Sequence, residues 1–430
     1  MRDRNMLFFL LACAAEKAPS YNYYQNVKPI LDARCVNCHT ENAIGGFSLD
    51  DAEMVTELAP GIANAVANKS MPPWSASSAP GFINDWSLTE EQISIITTWE
   101  AEGAVLGDPS KEGEPLPFVG TRLSQIDTSV QIPEVYTSPQ AAGDDYRCFI
   151  LDWDWSETTY ITGFNAKPGN HQMVHHVAAF LVRPDGLMGE SIFQTMEEWD
   201  QADEGLGYSC YGGPSATGAS AQIPIEQLAQ WVPGSQGLDF PAGTGIKIDP
   251  GSKIILQMHY YIPPSLENTS DQTSLDFSLS DEVASPAAYA PFLNAAWPVS
   301  GLDIPAGEEN VQHSTQGDPR GFFTVLNPNL ELDEGFTIHS MMMHMHRLGQ
   351  SGKLSLVKAD GTEQTLVDIP SWDFDWQFTY VLEDSIQFED GDELYLECVF
   401  DNSNAGAIDV SWGEGTDDEM CVGNLYISTP

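Results

Sequence analysis

The chain has 430 residues, with 63 Asp and Glu against 17 Lys and Arg, a formal net charge of -46 at pH 7. That balance excludes a nucleic-acid binder, which must neutralise phosphates with basic side chains. With 42% hydrophobic residues, among them 11 Trp, 14 Tyr and 19 Phe, the chain can build two or three packed domains and is not globally disordered.

Arg2 and Arg4 precede an apolar run over residues 6–12, far shorter than the roughly 20 residues that span a bilayer. The run reads as the core of an export signal. It ends in Leu10-Leu11-Ala12-Cys13, which resembles a bacterial lipobox, so Cys13 is the expected lipidation site and Ala14 after it points to the outer membrane. Residues 1–20 are therefore read as signal and tether. The mature protein is expected in the periplasm or at the cell surface, meeting a membrane only through its lipid anchor.

Residues 21–106 read as a small all-α cytochrome c domain. Cys35-Val36-Asn37-Cys38-His39 is the attachment pattern for one covalent haem c, with two thiols for the thioethers and His39 as the proximal iron ligand. Residues 24–35 carry apolar positions at helical spacing. Thr89-Glu90-Glu91-Gln92 is a capping box opening an amphipathic helix with Ile93, Ile96 and Trp99, closed by Gly103. Between them, Ser70-Met71-Pro72-Pro73-Trp74 resembles the loop that brings a distal methionine to the haem, which makes Met71 the expected sixth ligand. An iron saturated by His and Met suits electron transfer. Residues 107–122 then have the Pro, Gly and charge content of a linker.

From about residue 120 the pattern changes to short apolar runs between Gly, Pro, Asn and Asp, including Val174–Val182, Lys253–Ile262 and Glu393–Phe400. Asp360-Gly361 between two such runs is a hairpin signal. No long amphipathic helix is expected here, and the region reads as antiparallel all-β sandwiches of the jelly-roll kind. About 310 residues exceed one core of this type, so two units are expected, over 123–285 and 286–430.

Nine histidines are unevenly placed. His175 and His176 share one predicted strand, His259 lies in another, and His344-Met345-His346 in a third. An HxH pair occupies one face of a strand and can reach one metal ion, whereas adjacent histidines point to opposite faces unless the strand is bulged. Imidazole sets suit copper, zinc or iron, and an added thioether tilts the choice to copper. Four cysteines, Cys148, Cys210, Cys398 and Cys421, remain after the others are assigned; in an exported chain they read as two disulfides, with three pairings open.

Over residues 146–426 the sequence resembles the type II copper monooxygenases, the family of peptidylglycine α-hydroxylating monooxygenase and dopamine β-hydroxylase. The motifs are Tyr146-Arg147-Cys148, Val174-His175-His176, Leu256-Gln257-Met258-His259-Tyr260, His344-Met345-His346 with Leu348-Gly349, and Asp418-Glu419-Met420-Cys421. Trp372-Asp373-Phe374, Trp376-Gln377 and Asp401-Asn402-Ser403 look like stretches of bacterial relatives. The resemblance implies two copper ions. One, storing an electron, would be held by His175, His176 and His259; the other, activating dioxygen, by His344, His346 and Met420. It also implies the disulfides Cys148–Cys210 and Cys398–Cys421, the second pinning Met420, and gives no role to His171, His313 and His339.

The implied reaction is hydroxylation of a C–H bond of a small organic substrate by dioxygen. Two electrons would come from a donor protein or small reductant through the haem domain to the copper of His175, His176 and His259. Peptide-processing members carry an Arg two residues before the HxH pair, where this chain has Met342, and an Asn and a Tyr that are displaced here to Asn424 and Tyr426. A glycine-extended peptide is therefore not the expected substrate, and Met341, Met342 and Met343 would form an apolar wall. The alternative is a copper-binding or electron-relay surface lipoprotein without productive hydroxylation.

Overall fold

The computed structural model describes residues 20–430 apart from 42, 44, 78–79, 140–142, 185–190, 211–212, 220–225, 265, 267–268, 405, 414 and 416. The expected export signal and the expected lipidation site Cys13 lie outside the described residues.

The regular elements before residue 102 are helical. A π-helical turn at Tyr23–Val27 runs into the α-helix Lys28–Arg34, and Ala52–Ala67 and Glu90–Ala101 follow. Asp51 caps the second of these α-helices by accepting from Met54 N, and Thr89 with Gln92 forms the reciprocal capping box at the third. The helices close on Val27, Leu31, Val55, Ile96 and Trp99, all fully buried. The expected linker does not leave at once: Tyr24 N donates to Leu106 O and Gly113 N to Tyr24 O, so its first part packs back on the helices.

The remainder is β-rich. A five-stranded sheet has the order Tyr208–Ser209, Gly143–Asp152, Lys253–Ile262, Val174–Val182, Gln227–Trp231. A four-stranded sheet has the order Val311–Gly317, Glu393–Phe400, Gly349–Val357, Glu363–Ile369. Between them runs a nine-stranded sheet that contains Thr159–Lys167, Thr244–Ile248, Ser285–Phe292, Val422–Ser428, Phe336–His344 and Tyr380–Phe388 in that order.

The central sheet joins the two expected units. Along Ser285–Phe292, Ala287 and Tyr289 enter the core shared with the five-stranded sheet, while Ala288, Ala290 and Phe292 enter the core shared with the four-stranded sheet. Period-two alternation thus lets one strand serve two cores. Two expectations need correction. Ser285–Phe292 pairs in parallel with Thr244–Ile248, so the β-region is not wholly antiparallel. A twelve-residue helix, Ser191–Ala202, interrupts it, with Ile192 and Met196 buried on Phe180, Tyr208 and Ile255.

Helical and β parts are docked. Ile83 N donates to Val381 O, Glu383 N to Gly81 O, Ser77 N to Asp368 O and Asn84 Nδ2 to Thr379 O. Residues 80–84 thereby cover the edge strand Tyr380–Phe388, whose unpaired backbone would otherwise be open to another chain. Phe82 and Ala76 enter the β core itself.

Candidate metal centres around one cavity

The first cluster forms across two neighbouring strands. His259 pairs with His176 and Tyr260 with Val174, so His175 is the extra residue of a β-bulge. The bulge turns both adjacent imidazoles toward His259, and the ligand atoms of the three rings lie within 4.8 Å of one another. Their Nδ1 atoms converge, at 3.4 Å between His175 and His176 and 3.2 Å between His176 and His259. His259 is held from behind. Its Nε2–H donates to Asp144 Oδ1 at 2.8 Å, and its ring lies flat on Tyr146, 4.0 Å between centroids and 7° between planes. A carboxylate on Nε2 fixes the tautomer that leaves the Nδ1 lone pair free.

The second cluster follows from strand alternation. Met341, Met343 and Met345 point into the core, while Met342, His344 and His346 line the cavity. The methionine run is thus part core and part wall. Gln377 Nε2 donates to Phe374 O, which aims Oε1 at His344; His344 Nδ1–H donates to it at 2.6 Å. His346 Nδ1–H donates to Asp418 O at 3.1 Å. Both partners only accept, so in this pair the lone pair is left on Nε2. Met420, also lining the cavity, adjoins Cys421, which is bonded to Cys398; Cys148 is bonded to Cys210.

Burial sets the protonation. It holds His176 well below the ordinary imidazole range, helped by His259 and His175, and holds His175 and His344 at about 4. His346 is lowered by the same cause. These four rings are neutral at pH 7 and offer lone pairs rather than positive charge. Nitrogen-only donors suit copper, as do two imidazoles joined by a thioether such as that of Met420, which lines the same cavity.

His175 and His176 of the first cluster and His344 and His346 of the second line one cavity of about 440 Å³, with His259 behind the first pair. Its walls include Phe180, Phe322, Phe374, Trp376, Phe378 and Trp412, with Gln227, Gln230, Gln257 and Asn424 as neutral polar groups. Asp375 is its one carboxylate and it has no Lys or Arg among the described residues. Tyr426 lies elsewhere, buried with its hydroxyl on Thr244.

Sequence reasoning missed Asp144, Tyr146 as a ring stacked on His259, and Gln377 as a partner of His344. It also gave no role to Glu419, fully buried, whose carboxylate accepts from the backbone of His346 and Leu348 at 2.8 and 2.5 Å and braces the turn after the HxH pair. Of the histidines left without a role, His313 bonds Asp303 O, His339 bonds Ser428 and His171 is exposed.

Residues 311–428 match the family model for the copper type II ascorbate-dependent monooxygenase C-terminal domain. A tyramine β-hydroxylase of Caenorhabditis briggsae is 23% identical over 350 residues, which cover 75% of this chain and 52% of that protein. The comparisons support the type II copper monooxygenase family. This chain spans about half the length of that relative. Among solved structures, broad bean stain virus aligns at 10% identity over 72% of this chain and 90% of its own, with a TM-score of 0.20. The VP2 subviral particle of infectious bursal disease virus aligns at 10% identity over 72% and 75%, with a TM-score of 0.15. Scores at that level establish no shared fold.

In the helical part, Cys35 and Cys38 are free thiols, pushed up by burial to about 12 and about 11. A Cβ at Gly45 would lie 2.3 Å from His39 Nδ1, so only glycine lets the chain close over that ring. Met71 is half-buried in the loop after Ala52–Ala67. Arg34 Nε, Trp74 Nε1 and Trp86 Nε1 are among the buried polar atoms of this part without a partner. A buried donor without a partner costs about 1–3 kcal/mol, and the carboxylates of a haem would satisfy such groups. The residues present therefore fit this group.

Proposed function

We propose that the protein is an exported, lipid-anchored copper monooxygenase that hydroxylates a C–H bond of a small organic substrate, with electrons passed in through a covalent haem. The observation that carries the proposal is that two differently built histidine clusters share one cavity. Bound copper would supply the one-electron chemistry that activates dioxygen. His175, His176 and His259 would hold one ion through Nδ1, and His344, His346 and Met420 the other through Nε2 and sulfur. Cys35, Cys38 and His39 would hold the haem, with Met71 as its sixth ligand.

The chain's own groups do the rest. Asp144, Gln377 and the Asp418 carbonyl keep the imidazole tautomers fixed without a proton leaving the site. The aromatic walls exclude water and position an apolar substrate. With no cationic side chain on the cavity wall among the described residues, a carboxylate would enter without a partner, so the substrate is a neutral or cationic molecule with an apolar body. Tyramine, which the relative's name specifies, is an aromatic amine of that description. Overall, R–H, O2, two electrons and two protons give R–OH and water.

Metal and haem analysis of the purified protein tests this. The expected result is two coppers and one haem, one copper lost in His346→Ala and the haem lost in Cys38→Ala, with substrate-dependent oxygen uptake by the intact protein. Zinc in place of copper would refute the proposal. Full copper without oxygen uptake across neutral and cationic aryl and alkyl substrates would leave the electron-relay reading instead.

A further inference from the structure

The seam between the helical part and the β-region contains an unbroken row of aromatic rings that ends at the cavity. It begins at the Cys35 to His39 segment. A Cβ at Gly234 would lie 2.6 Å from Cys38 Sγ and 3.1 Å from the Trp86 ring, and Gly234 has φ +86°, so sulfur and indole meet over a glycine that no larger residue can replace. From Trp86 the next ring is Phe378, 5.6 Å away between centroids. Phe378 stacks on Trp376 at 6.1 Å and 15°. Both rings line the cavity, and Gln377 between them is the residue to which His344 donates. Asn37, Trp86, Gly234, Gln377 and Phe378 also border a single small crevice, which places the Cys-x-x-Cys segment and the His344 support against one seam. Trp74 flanks the row, stacked on Phe378 at 6.1 Å and 28°.

We propose that Trp86, Phe378 and Trp376 form an electron relay from the haem-attachment segment to the His344 end of the cavity. The relay rests on the haem and copper reading above and adds to it the route and the point of entry, which differs from the His175, His176 and His259 cluster expected from sequence. Its physical basis is continuity: adjoining π systems couple donor and acceptor better than saturated side chains over the same span. The hydrogen bonds of residues 77–84 to the β-region hold the rings in a fixed arrangement, so no docking step precedes transfer. The step would move one electron, taken from ferrous haem and received by cupric copper, with no bond or proton changed.

The test uses the full-length protein loaded with haem and oxidised copper, without oxygen or substrate. A photoexcited flavin reduces the haem in a flash, and the readouts are reoxidation of the haem absorbance and loss of the cupric paramagnetic signal. Trp376→Leu and Trp86→Leu are expected to slow reoxidation by about tenfold or more, the change that about 1.4 kcal/mol in a barrier produces. Trp376→Phe, which keeps a ring, restores the rate. Because Trp86 also forms the seam, Trp376 on the cavity wall is the decisive position. His346→Ala removes the fast phase and His176→Ala retains it. Leucine variants that keep haem and copper and reoxidise at the parent rate overturn the relay, as does loss of the fast phase in His176→Ala alone. Absence of haem from the purified protein overturns the haem reading as well, and is visible in the absorbance before any flash.

Discussion

Removing Asp144 probes the first cluster without touching a ligand. Its carboxylate accepts from His259 Nε2 at 2.8 Å, and His259 is 4% exposed while the Asp144 side chain is 47% exposed. Partners of this kind are worth about 10–100-fold in metal affinity, or about 1.4–2.8 kcal/mol. Asp144→Ala is expected at the lower end, because the flat contact with Tyr146 still fixes the plane of the His259 ring and the carboxylate is half in water. What is lost is the hydrogen bond that places the proton on Nε2. Asp144→Asn keeps an acceptor oxygen and is expected to lose less. The assay is chelator competition for copper in a His346→Ala background, which leaves the three-histidine cluster as the site measured. Unchanged affinity in Asp144→Ala would refute the argument that this carboxylate selects the tautomer. Equal loss at both centres in the otherwise parent protein would show a general loss of structure instead.

Gln377→Ala leaves His344 Nδ1 without its acceptor and is expected to weaken copper at the HxH centre by about tenfold while the three-histidine cluster keeps its affinity, read by the same competition. Arg183, nearly buried, donates to both Glu226 oxygens at 2.6 and 2.8 Å and to Asp249 at 3.4 Å. Arg183→Met strands the Glu226 carboxylate, while Asp249 keeps Lys247 and Thr158, and chemical denaturation is expected to show a loss of about 3 kcal/mol. Burial pushes the Asp249 carboxyl up, but hydrogen bonds from Thr158 and Lys247 and the charges of Lys247 and Arg183 outweigh it and hold the group below its ordinary value. A carboxyl lowered by folding stabilises above its unfolded value and loses that contribution as pH falls through its folded value. Denaturation of Asp249→Asn over the acid range is therefore expected to depend less on pH than that of the parent; an unchanged profile would refute this.

Much of the local structure was legible because its causes are local. The capping box at Thr89, the Asp360-Gly361 hairpin and the strands Val174–Val182, Lys253–Ile262 and Glu393–Phe400 depend on neighbours within a few residues. The helix Ser191–Ala202 was not read from the sequence, although Ile192, Met196 and Trp199 recur in it at helical spacing. The spacing of His344 and His346 put both rings on one face of an extended segment, although the strand ends at His344 and the Glu419 carboxylate braces the backbone of His346. For His175 and His176 sequence could state only the condition, a bulge, and the register against His259 supplied it. The four candidate disulfide cysteines were countable, but their partners came from family resemblance and from the fold. Asp144, Tyr146, Gln377 and Glu419 were invisible as site residues, since each acts on a histidine far along the chain. The same holds for the sheet that serves two cores and for the seam where Trp86 meets Phe378. Sequence determined which side chains were present and which faces of their strands they occupied; only the tertiary structure decided which strands adjoin, because long-range pairing is set by the burial of whole faces rather than by any residue's neighbours.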